Sequence, residues 1–193
     1  LKSFGEPRGH GGSSSSCACG CQCMAGRRWA GPGRPGAGDD KAVLYTALAD
    51  DGGQLSWKRE AAVLFSVAEK ALCEGEAEES LRAASEALER FRALGEDGAM
   101  GVADSLRLIV YSHQAQERPK EAMRIAREER AKFREAGARR WEAFMTLSLA
   151  EVGLSDRRND GVLVAFAEAT AALDAFRDLE DRKMIGIALL VMG

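Results

Sequence analysis

From Ser56 onward, apolar side chains recur three and four positions apart, which is the pattern of helices that each bury one face. The first stripe ends at Gly75 and the second, which ends on Phe91, is followed by Gly95. Glycine is the residue that most often closes a helix. The first stripe comprises Ala61, Leu64, Val67, Ala68, Ala71 and Leu72, and the second comprises Ser80, Leu81, Ala84, Ala87, Leu88 and Phe91. The pattern predicts two consecutive helices and no strand.

This pair of stripes is repeated along the chain. Phe91, Phe133 and Phe176 are each followed by arginine and a polar turn, and they lie 42 and 43 residues apart. A period of this length that contains two helices is typical of an α-solenoid, in which stacked units share one continuous core. We therefore predict an all-α fold, an α-solenoid of antiparallel helix pairs. Its units are 58–97, 98–139 and 140–181, and a fourth begins at 182–193.

The segment FSVAEKALCEGEAEESLRAASEALERF resembles a tetratricopeptide repeat, with small residues at Ala68, Ala71, Ser80 and Ala87 and a glycine in the turn. The third unit, LSLAEVGL followed by VLVAFAEATAALDAF, is similar to it, with about three extra residues between its helices. The second unit departs from the pattern, because Val110 and His113 replace small residues and Glu129 replaces alanine. The long period is similar to that of the kinesin light chain type.

The resemblance implies a scaffold that binds a protein or peptide on the concave face formed by the first helix of each unit. It implies nine groove candidates: Phe65, Glu69, Leu72, Arg107, Tyr111, Gln114, Phe144, Leu147 and Glu151. The alternative is that these side chains pack against the neighbouring unit. Some members of the family grip a carboxylate with lysine, asparagine and arginine, but Arg107 has no asparagine nearby, which disfavours that ligand.

The first 39 residues have a different composition, rich in glycine, serine, proline and arginine. Such a segment buries too little apolar surface to offset the entropy of ordering, so we predict a disordered tail. Met24 is a candidate start of translation. Residues 40–57 are predicted to be a short helix and a linker, with Asp39 and Asp40 as helix-capping candidates. The chain opens on Leu1 and stops within an apolar run, and we expect it to be a fragment.

Candidate chemistry is confined to that tail. Cys17, Cys19, Cys21 and Cys23 form the run CACGCQC, whose thiolates are able to ligate Zn²⁺ or Cu⁺. The run lacks the two separated pairs of a structural zinc site, so a low-complexity tail is the favoured interpretation. We predict no cofactor and no catalytic residue, because no Ser-His-Asp, HExxH or Walker-type arrangement is present. His113, the one histidine outside the tail, is expected to be structural.

Charge narrows the choice of partners. The net charge of −3 and the 42-residue period argue against nucleic acid, including the base-reading pentatricopeptide arrays. The basic residues of 120–134 alternate with glutamates, which indicates a salt-bridged helix surface more than a patch for an acidic partner. No apolar run reaches the roughly 18 residues of a membrane-spanning helix. We predict no membrane association and no small-molecule substrate.

Two functional hypotheses remain at this stage. The first is a protein-interaction scaffold that is not an enzyme. The second is a non-catalytic region that positions or regulates a larger multidomain enzyme or signalling protein. The folded part contains a single cysteine, Cys73, which fits a reducing compartment, so we expect an intracellular, cytoplasmic location.

Overall fold

The computed structural model describes residues 41–53, 56–155 and 161–193, and this part of the chain is helical with no strand. The all-α prediction is therefore confirmed. The predicted disordered tail, Asp39, Asp40 and the cysteine run lie outside the described residues. The helices are α1 (Lys41–Asp50), α2 (Ser56–Glu74), α3 (Ala77–Ala93), α4 (Ala99–Ala115), α5 (Pro119–Glu135), α6 (Arg139–Ser155), α7 (Val162–Asp178) and α8 (Arg182–Met192), with a 3₁₀ turn at Gly95–Gly98.

The helices pack in the order of the sequence. Each helix from α1 to α8 contacts the next one, and the alternate helices α2, α4, α6 and α8 also contact one another in succession. We call α2, α4, α6 and α8 the A helices and α3, α5 and α7 the B helices. None of the described helices has both the length and the apolar character needed to cross a lipid bilayer. The solenoid type and the number of repeats stay predictions.

The turns between helices confirm the role predicted for the glycines. Gly75, Gly95 and Gly137 have φ of +87°, +61° and +68°, a left-handed conformation in which a β-carbon is strained. Glu117 and Glu180 adopt the same conformation at the corresponding turns of other units, with φ of +59° and +54°. The chain therefore keeps the shape of the turn even where glycine is absent.

Small residues at equivalent positions bring the B helices close to the A helices. Ser80, Ala122 and Ala165, which share one position of the repeat, are all buried, and so are Ala84, Ala126 and Ala169 one turn later. Phe91 packs so closely on α4 that a β-carbon at Gly101 would lie 2.3 Å from its ring. Phe176 is also fully buried, whereas Phe133 is half-buried. The predicted plug positions are thus filled most tightly in the first and third units.

The second unit is held differently, as its departures from the repeat pattern suggest. On α5, Glu129 and Arg130 replace the alanine and leucine of α3 and α7. Glu129 Oε2 accepts a 2.9 Å bond from Arg92 of α3, and Arg130 donates at 2.9 Å to both carboxylate oxygens of Glu168 on α7. Ion pairs therefore link the three B helices.

The rest of the basic segment on α5 is internally paired. Arg124 bonds to Glu121 and Glu128 on its own helix, and Lys132 pairs with Glu129 at 2.6 Å. The salt-bridged interpretation of this surface is confirmed.

Candidate functional site

The nine predicted groove residues lie on three helices that contact one another in succession, three each on α2, α4 and α6. Seven of them are buried, with 1% to 9% of their surface exposed, and Leu72 and Gln114 are half-buried. We call the surface defined by these nine residues the A-helix face. Burial means that the seven side chains contribute to packing within the chain, and contact with a partner stays a prediction.

Four of the predicted residues meet in a polar cluster between α4 and α6. Arg107 Nε donates to the Tyr111 hydroxyl at 2.6 Å, and Arg107 Nη2 donates to Glu151 Oε1 at 2.7 Å. Tyr111 in turn donates to Glu151 Oε2 at 2.7 Å. The Arg107 guanidinium carbon lies 5.3 Å from the ring centroid of Phe144, within the range of a cation–π contact. These residues are brought together by the packing of two helices rather than by nearness in sequence.

The electrostatics of this cluster keep Tyr111 in its protonated form. Burial raises the pKa of the Tyr111 phenol well above its ordinary value; Glu151 raises it further and Arg107 opposes the rise. A protonated phenol donates to the carboxylate while accepting from the guanidinium, so each charge keeps a partner of opposite sign or dipole. Removal of one member would leave a buried charge uncompensated, which costs about 3–5 kcal/mol in typical proteins.

Helix α1 covers the beginning of the A-helix face. The ring of Tyr45 lies 4.1 Å from that of Phe65 and 5.7 Å from that of Phe91, measured between centroids. Its hydroxyl donates a 2.9 Å hydrogen bond to Asp104 Oδ2. Asp104 lies one helical turn before Arg107 on α4, so Tyr45 spans the same side of α2 and α4 as the predicted residues.

Sequence reasoning predicted α1 as a short helix but did not assign Tyr45 or Asp104 to the site. The available signal was that Tyr45 is one of two tyrosines in the chain and stands in an otherwise aliphatic helix. Burial raises the pKa of Tyr45, and the Asp104 carboxylate adds to the rise, so the phenol remains a hydrogen-bond donor.

Gln114, the last predicted residue on α4, has an unusual environment. Both Nε2 and Oε1 of its amide are buried without a hydrogen bond to the described part of the chain. A buried amide that lacks partners loses about 1–3 kcal/mol relative to a satisfied one. By contrast Gln116, two residues later, donates through Nε2 to the Ala77 carbonyl at 3.1 Å. Gln114 is therefore a polar group at the predicted groove that the described residues leave unsatisfied.

The search for other chemistry in the described residues returns little. They contain no group of three or more histidine, cysteine or acidic side chains placed to hold a metal ion. His113 is half-buried at the end of α4, and burial lowers its pKa. An open depression of about 420 Å³ lies between α1, α2 and α3, lined in part by Ala49, Val63 and Leu64, and the Arg90–Glu60 ion pair contributes to its lining.

Compared with known protein families, with curated proteins and with solved structures, the chain matches none of them. The resemblance to tetratricopeptide repeats therefore stays a prediction that rests on the residues themselves.

Proposed function

We propose that the chain is a tetratricopeptide-like interaction module whose A-helix face binds a helical or extended peptide segment of a protein partner. The observation that carries this proposal is the docking of α1. A short helix inserts an aromatic ring against Phe65 and bonds its hydroxyl to Asp104, at the start of the face that the resemblance assigns to ligands. The chain thus holds one helix of its own at this face.

The chemistry of the face indicates which partner it suits. It combines aromatic surface at Phe65 and Phe144 with the charges of Arg107 and Glu151 and the unsatisfied amide of Gln114. An aromatic anchor with a hydroxyl, as in Tyr45, suits the first part. A side-chain amide pairs with the N–H and C=O of a peptide backbone, so Gln114 suits a segment that presents an unpaired main chain.

Because most of the face is buried, α1 is proposed to be an internal occupant that a partner displaces. The affinity of a partner is then reduced by the fraction of molecules in which α1 is docked. A Tyr45→Ala variant, which loses the anchor, is expected to bind the partner more tightly than the original chain.

The proposal is tested by selecting peptides from a random phage-displayed library on the full chain. Variants are best made at the two half-buried residues of the face, because the core then stays filled: Leu72→Glu and Gln114→Met. The matched controls are Leu81→Glu, a half-buried leucine on α3, and Gln116→Met. We expect selected peptides to bind both controls, to lose affinity for both face variants, and to gain affinity for Tyr45→Ala. Peptides that bind all of the variants alike, or a selection that enriches none, would contradict the proposal.

A further inference from the structure

The exposed side of α8 carries a residue pattern that is buried in every preceding A helix. Starting at the fifth residue of α4, α6 and α8, and at the sixth of α2, the chain places a small residue, two larger ones and a small or β-branched one at i, i+3, i+4 and i+7. The sets are Ala61, Leu64, Phe65 and Ala68; Ala103, Leu106, Arg107 and Val110; Ala143, Thr146, Leu147 and Ala150; and Gly186, Leu189, Leu190 and Gly193.

The burial of these equivalent sets differs sharply. All four members are 8% exposed or less on α4 and on α6, whereas Leu189 and Leu190 are 50% and 73% exposed. Two adjacent leucines of this exposure form an apolar patch on a helix whose other side, through Met184, Ala188 and Val191, is buried. The difference lies in what covers the helix rather than in the residues themselves.

A second observation, on α7, points to the same missing contact. Phe166 is 45% exposed, although Leu81 and Met123, at the same position in α3 and α5, are half-buried against the core. A turn of three residues joins α7 to α8, so the two helices run antiparallel and the beginning of α7 lies beside the end of α8. Phe166 and the two leucines are therefore at one end of the molecule. We call Phe166, Gly186, Leu189 and Leu190 the α8 end face.

The earlier pairs show which surface covers this pattern. The stripe of α6 continues from Ala150 to Gly153, where a β-carbon would lie 2.8 Å from the Ala165 β-carbon of α7. The partner of an A helix is thus a helix with small residues at i, i+4 and i+7 and phenylalanine at i+11. In α3 these residues are Ser80, Ala84, Ala87 and Phe91, and in α7 they are Ala165, Ala169, Ala172 and Phe176.

We infer that the α8 end face is a second docking site, and that it binds an amphipathic helix of the B-helix type presented by another polypeptide. The interaction continues the stacking that joins α6 to α7, with Leu189 and Leu190 packing against the small-residue stripe of the incoming helix. It is separate from the A-helix face, because it uses the end of the array and not the residues around Tyr45.

The test uses the full chain and a labelled synthetic peptide with the sequence of α3, residues 77–93, followed by fluorescence anisotropy. Two chain variants are compared, Leu190→Asp and Leu44→Asp. Leu44, on α1, is 47% exposed and serves as the matched leucine far from α8. Circular dichroism checks that both variants keep their helical content. A peptide that carries Ala84→Glu and Ala87→Glu tests the small-residue stripe.

We expect saturable binding of the α3 peptide that Leu190→Asp weakens about tenfold or more, as loss of a central apolar contact does, while Leu44→Asp leaves it unchanged. The glutamate-bearing peptide should bind about tenfold more weakly as well. Absence of saturable binding, or binding that Leu190→Asp does not weaken, would overturn the inference. So would a dimer, detected by sedimentation, that Leu190→Asp dissociates and the α3 peptide does not, because the occupant would then be a second copy of the chain.

Discussion

At the scale of single residues, the repeat is clearest where the chain departs from it. Gly95 and Gly137 end two B helices in the left-handed conformation, and the third B helix ends with Glu180 in the same conformation. The backbone geometry is conserved within the molecule although the residue best suited to it is not. Packing of the flanking helices on both sides therefore determines the turn, and the glutamate remains strained.

Replacing Glu180 by glycine should stabilise the protein. A non-glycine residue at φ of +54° costs about 1–2 kcal/mol, and glycine in turn loses more entropy on folding, so we expect a net gain of about 0.5–1 kcal/mol in the free energy of unfolding. Urea denaturation measures it. The converse change, Gly137→Ala, should destabilise the protein. Equal stability of Glu180→Gly and the original chain would show that the turn carries no strain.

His113 should make stability depend on pH. Burial lowers its pKa, Arg118 and Arg124 lower it further, and Glu121 opposes them. The unfolded chain therefore binds a proton more readily than the folded one, and stability falls as pH drops through the ordinary histidine range near about 6.5. Denaturation at about pH 7.5 and 5.5 measures the fall. His113→Gln should reduce it, while His10→Gln, in the tail, should not. An unchanged pH dependence in His113→Gln would contradict this assignment.

At the scale of helices, two kinds of contact hold the pairs together. The first and third units use alanines at the interface, whereas α5 uses ion pairs to α3 and α7. The small residues and the glycine turns were predictable from the sequence, because a helix with a fixed period must bury the same positions in each unit. The links from Glu129 to Arg92 and from Arg130 to Glu168 were not predictable, because their partners come from helices about 37 residues away along the chain.

The alanine interface is tested by Ala84→Leu. Ala84 has no exposed surface, so three additional carbon atoms would force α3 away from its neighbours, at a cost of about 1–3 kcal/mol. We expect a lower melting temperature by circular dichroism. The neighbouring Ser85→Leu, at an exposed position, should have little effect. A melting temperature that Ala84→Leu leaves unchanged would mean that the helices pack through another face.

The ion pair between α5 and α7 is tested by a double-mutant cycle of Arg130→Ala and Glu168→Ala. Both side chains are less than a third exposed, and the expected coupling is about 0.5–1 kcal/mol, weakened by salt. The same cycle at Arg177 and Asp174, an exposed pair within α7, should give a smaller coupling. Equal couplings in the two cycles would remove the argument that ion pairs join the B helices.

At the scale of the whole molecule, the A helices form one continuous surface and α1 covers its beginning. The register of the repeat predicted which residues share this surface. It did not predict that seven of the nine would be buried, because periodicity shows which side of a helix is apolar and not what covers that side. Tyr45 was missed for the same reason: its contacts with Phe65 and Asp104 depend on how α1 packs, and no repeat position specifies that.

The central claim is that a partner binds the A-helix face and displaces α1. Hydrogen exchange, followed by mass spectrometry on the full chain with and without a selected peptide, tests it most directly. The account predicts slower exchange in α4 and α6, over 99–115 and 139–155, together with faster exchange in α1, over 41–50. Protection confined to the B helices, or protection of α4 and α6 with no change in α1, would contradict it.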